Sequence, residues 1–120
     1  MNKILLIEDD QVLQEMYRDK FLHEGFDIQV ATTGADGIAQ MKSFHPDVVL
    51  LDLILPDTMG FGILDAVKKD PDLNKIPVIV LTNLYADRED LINNRGAKAV
   101  LLKANTTPDE VVKQVKQFVT

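Results

Sequence analysis

Three stretches of the chain are apolar without polar alternation: Ile4-Leu5-Leu6-Ile7, Val48-Val49-Leu50-Leu51 and Val78-Ile79-Val80-Leu81. Runs of this kind read as strands buried on both faces. Phe26 to Ala31 and Ala99-Val100-Leu101-Leu102-Lys103 supply two more strands. Between the strands, apolar residues recur at helical spacing. The first predicted helix runs from about Gln11 to Glu24, with Leu13, Met16, Tyr17, Phe21 and Leu22 as its inner stripe and Gly25 as its stop. The second opens at Thr32-Thr33-Gly34, carries Ala35, Ile38, Ala39 and Met41, and ends near Phe44-His45-Pro46. The third covers Phe61 to Lys69 and closes at Asp70-Pro71-Asp72. A more polar fourth helix spans Tyr85 to Asn94 and ends before Gly96. Thr107-Pro108-Asp109-Glu110 starts the fifth: a Thr cap, Pro in the first position and an acid three residues after the cap. Val111, Val112, Val115, Phe118 and Val119 give its inner face. Five strands alternating with five helices predict an α/β fold, a parallel sheet wound on both faces.

The polar residues that break this pattern fall at strand ends. The central run, Asp47 through Pro56, delivers one carboxylate, Asp52, to the tip of its strand. Burying a carboxylate is unfavourable unless something compensates it. In an open α/β sheet that edge is where ligands bind. The first strand ends in Glu8-Asp9-Asp10, the fourth in Thr82 and the fifth in Lys103, all on the same edge. Converging carboxylates repel one another, so they raise a pKa or recruit a cation. Oxygen ligands without His or Cys favour a hard ion, Mg²⁺. A Thr hydroxyl and a Lys ammonium suit a phosphoryl oxygen. A carboxylate can itself be the nucleophile, forming an aspartyl phosphate. Asp10 reads as the cap of the first helix rather than a ligand.

Composition narrows the picture further. The chain has 120 residues, the size of one domain, with 46% hydrophobic and 27% charged positions. It has no cysteine, which excludes a disulfide framework and Cys-ligated metal sites. The net charge of −6 is spread among interspersed bases, which argues against direct binding of nucleic acid. No apolar run approaches the roughly 20 residues of a membrane span. The opening Met1-Asn2-Lys3-Ile4 lacks a signal-peptide layout, so a cytoplasmic location is expected. His23 and His45 are isolated and read as helix-end residues, not as metal or phosphorelay groups.

Four pieces in order carry a resemblance: Ile4-Leu5-Leu6-Ile7-Glu8-Asp9-Asp10, Leu50-Leu51-Asp52-Leu53-Ile54-Leu55-Pro56 with Gly60, Val80-Leu81-Thr82, and Gly96-Ala97 before Lys103. Over essentially its whole length the sequence resembles the receiver domain of two-component response regulators. The resemblance implies a single receiver domain over residues 1–120 with a flavodoxin-like (βα)5 sheet of strand order 2-1-3-4-5. It implies that Asp52 accepts a phosphoryl group from the phosphohistidine of a sensor histidine kinase or phosphotransfer protein. It gives Glu8, Asp9, Asp52 and the main-chain carbonyl of Ile54 as Mg²⁺ ligands. Thr82 would hydrogen-bond the phosphoryl group and Lys103 would pair with it. Such a domain is not a standing enzyme, though it assists its own phosphorylation and slow dephosphorylation. Its output would be a downstream protein or fused effector reached through the face of the fourth helix, fifth strand and fifth helix.

The chain departs from the pattern in places. Ala104 follows Lys103 where the family has Pro after a cis bond, and a trans bond is expected because cis before a non-proline residue costs about 3–4 kcal/mol. Asn83 replaces a small residue after Thr82 and is expected to slow entry of donor or water. Val100 stands where an aromatic switch residue is usual, leaving Tyr85 or backbone shifts of the fourth loop to take that part. The segment from Thr82 to Lys103 is short, so a short fourth helix is expected. Ile54 and Leu84 occupy the positions that tune dephosphorylation; both are apolar and predict a long-lived phosphoaspartate. Lys98 and Ala99 replace acids, which speaks against the salt-bridged dimer of the DNA-binding subfamily. Met59 is expected to be exposed and to border the site.

Rival readings are a degenerate receiver that only mediates interaction, an Asp-nucleophile phosphatase, a metal-dependent nuclease or primase module, and a flavin-binding protein. A phosphatase of that kind uses Asp-x-Asp on the first strand, a nuclease would want it at Asp52-Leu53-Ile54, and a flavin protein needs a Ser/Thr/Gly-rich first loop.

Overall fold

A computed structural model describes residues 2–84 and 87–119. The elements follow in the order β1 (Lys3–Ile7), α1 (Gln11–His23), β2 (Asp27–Ala31), α2 (Gly34–Phe44), β3 (Val48–Leu51), α3 (Gly60–Lys69), β4 (Val78–Thr82), α4 (Arg88–Asn93), β5 (Ala99–Leu102), a 3-10 turn (Lys103–Asn105) and α5 (Pro108–Lys116). All strands pair in parallel, in the order β2-β1-β3-β4-β5. The alternation of strands and helices predicts the parallel, doubly wound sheet, and its order is the flavodoxin-like one that the resemblance implies.

The unbroken apolar runs divide between two cores by strand periodicity. Leu5, Ile7, Val49, Leu51, Val78 and Val80 point to one side, where they meet Met41 of α2, Ile63, Leu64 and Val67 of α3 and Leu91 of α4. Ile4, Leu6, Val48, Leu50, Ile79 and Leu81 point to the other, against Tyr17 and Phe21 of α1 and Val111, Val112 and Val115 of α5. A strand buried on both faces has no solvent side on which to place polar residues, so its polar groups collect at its ends.

Local signals set most helix ends. Asp10 caps α1 by accepting from the N–H groups of Val12 and Leu13, and Gly25 follows its end at φ +87°. Thr33 caps α2 and Asp87 caps α4. Thr107 and Glu110 form the reciprocal capping box of α5.

The structure corrects several expectations. In α1 the inward line is Leu13, Tyr17 and Phe21, four residues apart; Met16 and Leu22 lie on its flanks and are exposed. In α2, Ala35 and Ala39 face outward, and the buried line is Gly34, Gly37, Met41 and Phe44. A hydrophobicity pattern does not count glycine as an inward residue, yet a Cβ on Gly37 would stand 2.6 Å from Cδ1 of Ile7. The fifth strand ends at Leu102, not Lys103, because the backbone turns there into the 3-10 turn. Phe118 and Val119 lie beyond the end of α5 but still pack on the same core. α4 has only six residues and begins at Arg88, short as expected but three residues later than Tyr85. Tyr85 itself lies outside the described residues.

Candidate functional site

The β1–β3 register places Ile7 beside Leu51, so the next residues, Glu8 and Asp52, emerge side by side at the sheet edge. The ladder continues into them: the N–H of Asp52 donates to the Ile7 carbonyl at 3.0 Å, and that of Glu8 donates to Ala31 at 2.9 Å. On the other side of β3, Leu51 pairs with Val80, two residues before Thr82. Thr82 pairs with Leu102, which delivers Lys103 to the same edge. Strand pairing alone therefore gathers Glu8, Asp52, Thr82 and Lys103, residues up to 95 apart in sequence.

Among the described residues, Glu8, Asp52 and Thr82 are the buried polar ones, at 2%, 7% and 1% exposure. Asp9 is exposed beside them. Carboxylate oxygens of Glu8, Asp9 and Asp52 lie within 4.8 Å of one another, a three-acid group able to hold a metal ion. The ammonium of Lys103 reaches back over the edge. It donates to Oδ2 of Asp52 at 2.9 Å and makes a second bond to Oε1 of Glu8.

The surroundings hold these groups in place. Oε2 of Glu8 accepts from the N–H of Asp10 at 3.1 Å, and Gln14 bridges the Glu8 carbonyl and the Thr32 hydroxyl. Oδ1 of Asp52 accepts from the N–H of Ile54 at 3.2 Å, and the Thr82 hydroxyl accepts from the N–H of Leu84 at 3.1 Å. Burial pushes the Glu8 carboxyl above the usual range, while its bond to Lys103 and the Asp10 N–H pull it partly back. Burial also opposes the charge on Lys103 and is the largest single influence there. The bonds to Glu8 and Asp52 together outweigh it and hold the ammonium above the ordinary lysine value. Burial raises the phenol of Tyr17 in the same way.

The site residues read from the sequence thus meet on one edge, with Lys103 on a 3-10 turn rather than on a strand. Ile54 follows on the loop after β3, bridged to Met59, with its side chain 49% exposed; Met59 is exposed as expected. Leu84 and Val100 are partly buried and pack against the core. The peptide bond from Lys103 to Ala104 is trans. His23 and His45 are exposed helix-end residues.

Pattern reading did not find the contacts of three supporting residues. Asn83 accepts the N–H of Ala104 through its side-chain oxygen at 2.9 Å. Asp57, on the loop after Asp52, accepts from the N–H groups of Gly34 and Ala35 at the start of α2. Gly60 backs directly onto the main chain of Asp52 and Leu53. The motif contains Gly60, but only the close approach reveals its task. Nothing local in the sequence marks Asp57 or Asn83 for contacts more than 20 residues away.

A family model of the response regulator receiver domain matches residues 4–116. The polar-differentiation response regulator DivK of Brucella ovis is 25% identical over 116 residues, 96% of this chain and 94% of its own. The DNA-binding dual master transcriptional regulator RpaA of Synechocystis is 34% identical over 84 residues, 70% of this chain. The match spans only 35% of that regulator's own length. Among solved structures, a CheY-like response regulator receiver domain protein from Methanospirillum hungatei superposes with a TM-score of 0.86 at 25% identity, covering 98% of this chain and 92% of its own.

Proposed function

Because the chain belongs to the response regulator receiver domain family of two-component signalling, we propose that Asp52 is its phosphoryl acceptor and that the charge state of this edge is its signal. The observation that carries the reading is Lys103 bridging Glu8 and Asp52, with Asp9 beside them, where three strands end. A nucleophilic carboxylate, an acidic pair and a mobile cation are what transfer to an aspartate requires.

In this reading a carboxylate oxygen of Asp52 forms the new O–P bond while the P–N bond of a donor phosphohistidine breaks. The bonding pair stays on the imidazole nitrogen, which takes up a proton. Lys103 follows the growing charge from Asp52 onto the phosphoryl oxygens. Thr82 supplies a hydroxyl on the neighbouring strand. Glu8, Asp9, Asp52 and the carbonyl of Ile54 would hold Mg²⁺, and the oxygen-only donor set with two buried carboxylates fits that ion. When bound, Mg²⁺ supplies neutralising charge to the transferring group.

The partners are a sensor histidine kinase or phosphotransfer protein as donor, and a protein target or fused effector as receiver of the signal. We assign the output to the face of α4, β5 and α5. Arg88, the first residue of α4, donates to the carbonyl of Val100 on β5 at 2.7 Å, so the position of α4 is tied to the strand that presents Lys103. The domain serves as a switch rather than a turnover catalyst. Among the described residues no helix is long and apolar enough to cross a membrane.

The test is incubation with Mg²⁺ and a small acyl phosphate, read by intact mass. One added phosphoryl group is expected, lost in Asp52→Asn. Absence of an adduct from both acyl phosphate and kinase would leave an interaction module without phosphorylation. Steady turnover of many phosphoesters would mean a phosphatase.

A further inference from the structure

The β4–β5 ladder does not stop at its last backbone rung. Thr82 pairs with Leu102. One step further, the side-chain oxygen of Asn83 accepts the N–H of Ala104 at 2.9 Å. The Asn83 side chain thereby adds a rung across Lys103. The N–H of Ala104 lies in the first turn of the 3-10 segment, where helix geometry gives it no partner of its own. On the far side, the Thr106 hydroxyl donates to the Leu102 carbonyl at 2.8 Å. Lys103 is thus held between two side-chain-to-backbone bonds.

We propose that Asn83 is a positioning residue for Lys103, fixing where its ammonium stands over Asp52. The inference rests on Asp52 being the phosphoryl acceptor. Lys103 carries its charge on a flexible four-carbon stem, so the place of the ammonium depends on where the backbone is anchored. Its reach to Asp52 is 2.9 Å, a close hydrogen bond. Asn83 also directly follows Thr82. The bond to Ala104 therefore joins the neighbour of one phosphoryl-facing residue to the neighbour of the other, and the two loops move as a unit.

The bulk of Asn83 suggests the opposite role, a gate that slows the donor. The two roles predict opposite signs. Asn83 is exposed, so truncating it leaves the core intact. The rate of labelling of Asp52 by acetyl phosphate is measured at saturating Mg²⁺ and donor, alongside hydrogen exchange of the Ala104 amide. Asn83→Ala is expected to slow labelling about tenfold, the scale of a misplaced rather than a missing group, and to expose the Ala104 amide. Asn83→Asp keeps the acceptor oxygen and should keep that amide protected and recover most of the rate. Ala104→Pro removes the donor N–H, so Asn83→Ala added to it should change nothing more. Labelling of Asn83→Ala as fast as wild type, or faster, overturns the proposal. So does an equal slowing in the Ala104→Pro background. No labelling of wild type at all would instead sink the acceptor reading beneath it.

Discussion

The ammonium of Lys103 is bonded to Glu8 as well as to Asp52, so a built-in cation stands among the carboxylates that a divalent ion would use. With Mg²⁺ bound as proposed, Lys103 would compete with it for Glu8. Replacing Lys103 by Met leaves Glu8 and Asp52 buried without their counter-charge, which should destabilise the metal-free protein by about 3–5 kcal/mol. The same change removes the competitor. Mg²⁺ titration followed by calorimetry or NMR should show tighter binding in Lys103→Met than in wild type. Urea melts should show a larger stabilisation by Mg²⁺ in the variant. Weaker binding in the variant would mean that Lys103 does not occupy the metal's place.

Asp57 ties the loop after Asp52 to the N-terminus of α2, with oxygens 2.8 Å from the Gly34 nitrogen and 3.0 Å from the Ala35 nitrogen. The Ala35 bond, then the Gly34 bond, holds its pKa below the ordinary aspartate value. A depressed carboxyl stabilises the fold above the unfolded pKa of about 3.9, and that stabilisation is lost as pH falls through the lower folded value. Asp57→Asn should therefore be less stable than wild type at neutral pH, and the difference should close on acidification below pH of about 3.9. Urea midpoints measured across that range check the sign; a gap that widens toward acid would contradict it.

The sheet and most helix ends were legible because local rules govern them. Unbroken apolar runs that stop at polar residues mark β1, β3 and β4, and Thr107 through Glu110 spell out a cap. The strand-end site was legible for a related reason. A strand buried on both sides leaves polar residues nowhere but its ends, so Glu8, Asp52 and Thr82 stand out. What stayed hidden depends on contacts between distant loops. Asn83 and Ala104 each look like departures from a pattern, and only the folded chain shows that one supplies the acceptor for the other's N–H. Leu84 is similar: its place in the chain suggests only a residue flanking the site, and the folded chain shows it half-buried against the core.

A Cβ on Gly60 would meet the backbone oxygen of Asp52 at 2.6 Å and Cα of Leu53 at 2.8 Å. Main chain cannot rotate aside as a side-chain tip can. Gly60→Ala should thus push the acceptor loop outward, with a loss of stability of about 1–3 kcal/mol and slower phosphorylation of Asp52. Gly37→Ala is the matched control. Its new methyl meets the side chain of Ile7, whose tip can shift without moving the Ile7 carbonyl that holds the Asp52 N–H, so it should lower stability while leaving the phosphorylation rate of the folded protein unchanged. Equal loss of rate in both variants would mean that general destabilisation, not displacement of Asp52, explains the effect.

Ile54 lies on the loop that leaves Asp52, its N–H bonded to the Asp52 carboxylate, and it is half exposed. A branched alkyl group there has no donor or acceptor with which to align an attacking water. The phosphoaspartate should consequently be long-lived. Ile54→Asn places an amide at the same point and should speed hydrolysis. Because the position is exposed, the change in fold stability should stay within about 0.5 kcal/mol. Leu84 is the less clean probe, since a Glu there would also disturb the core it packs against. The decisive measurement is phosphoaspartate decay by intact mass after donor removal, with Mg²⁺ held constant. Faster decay in Ile54→Asn supports the assignment. Decay unchanged or slower in the variant would place control of water elsewhere, with Asn83, bonded through its side chain to the loop after Lys103, next in line.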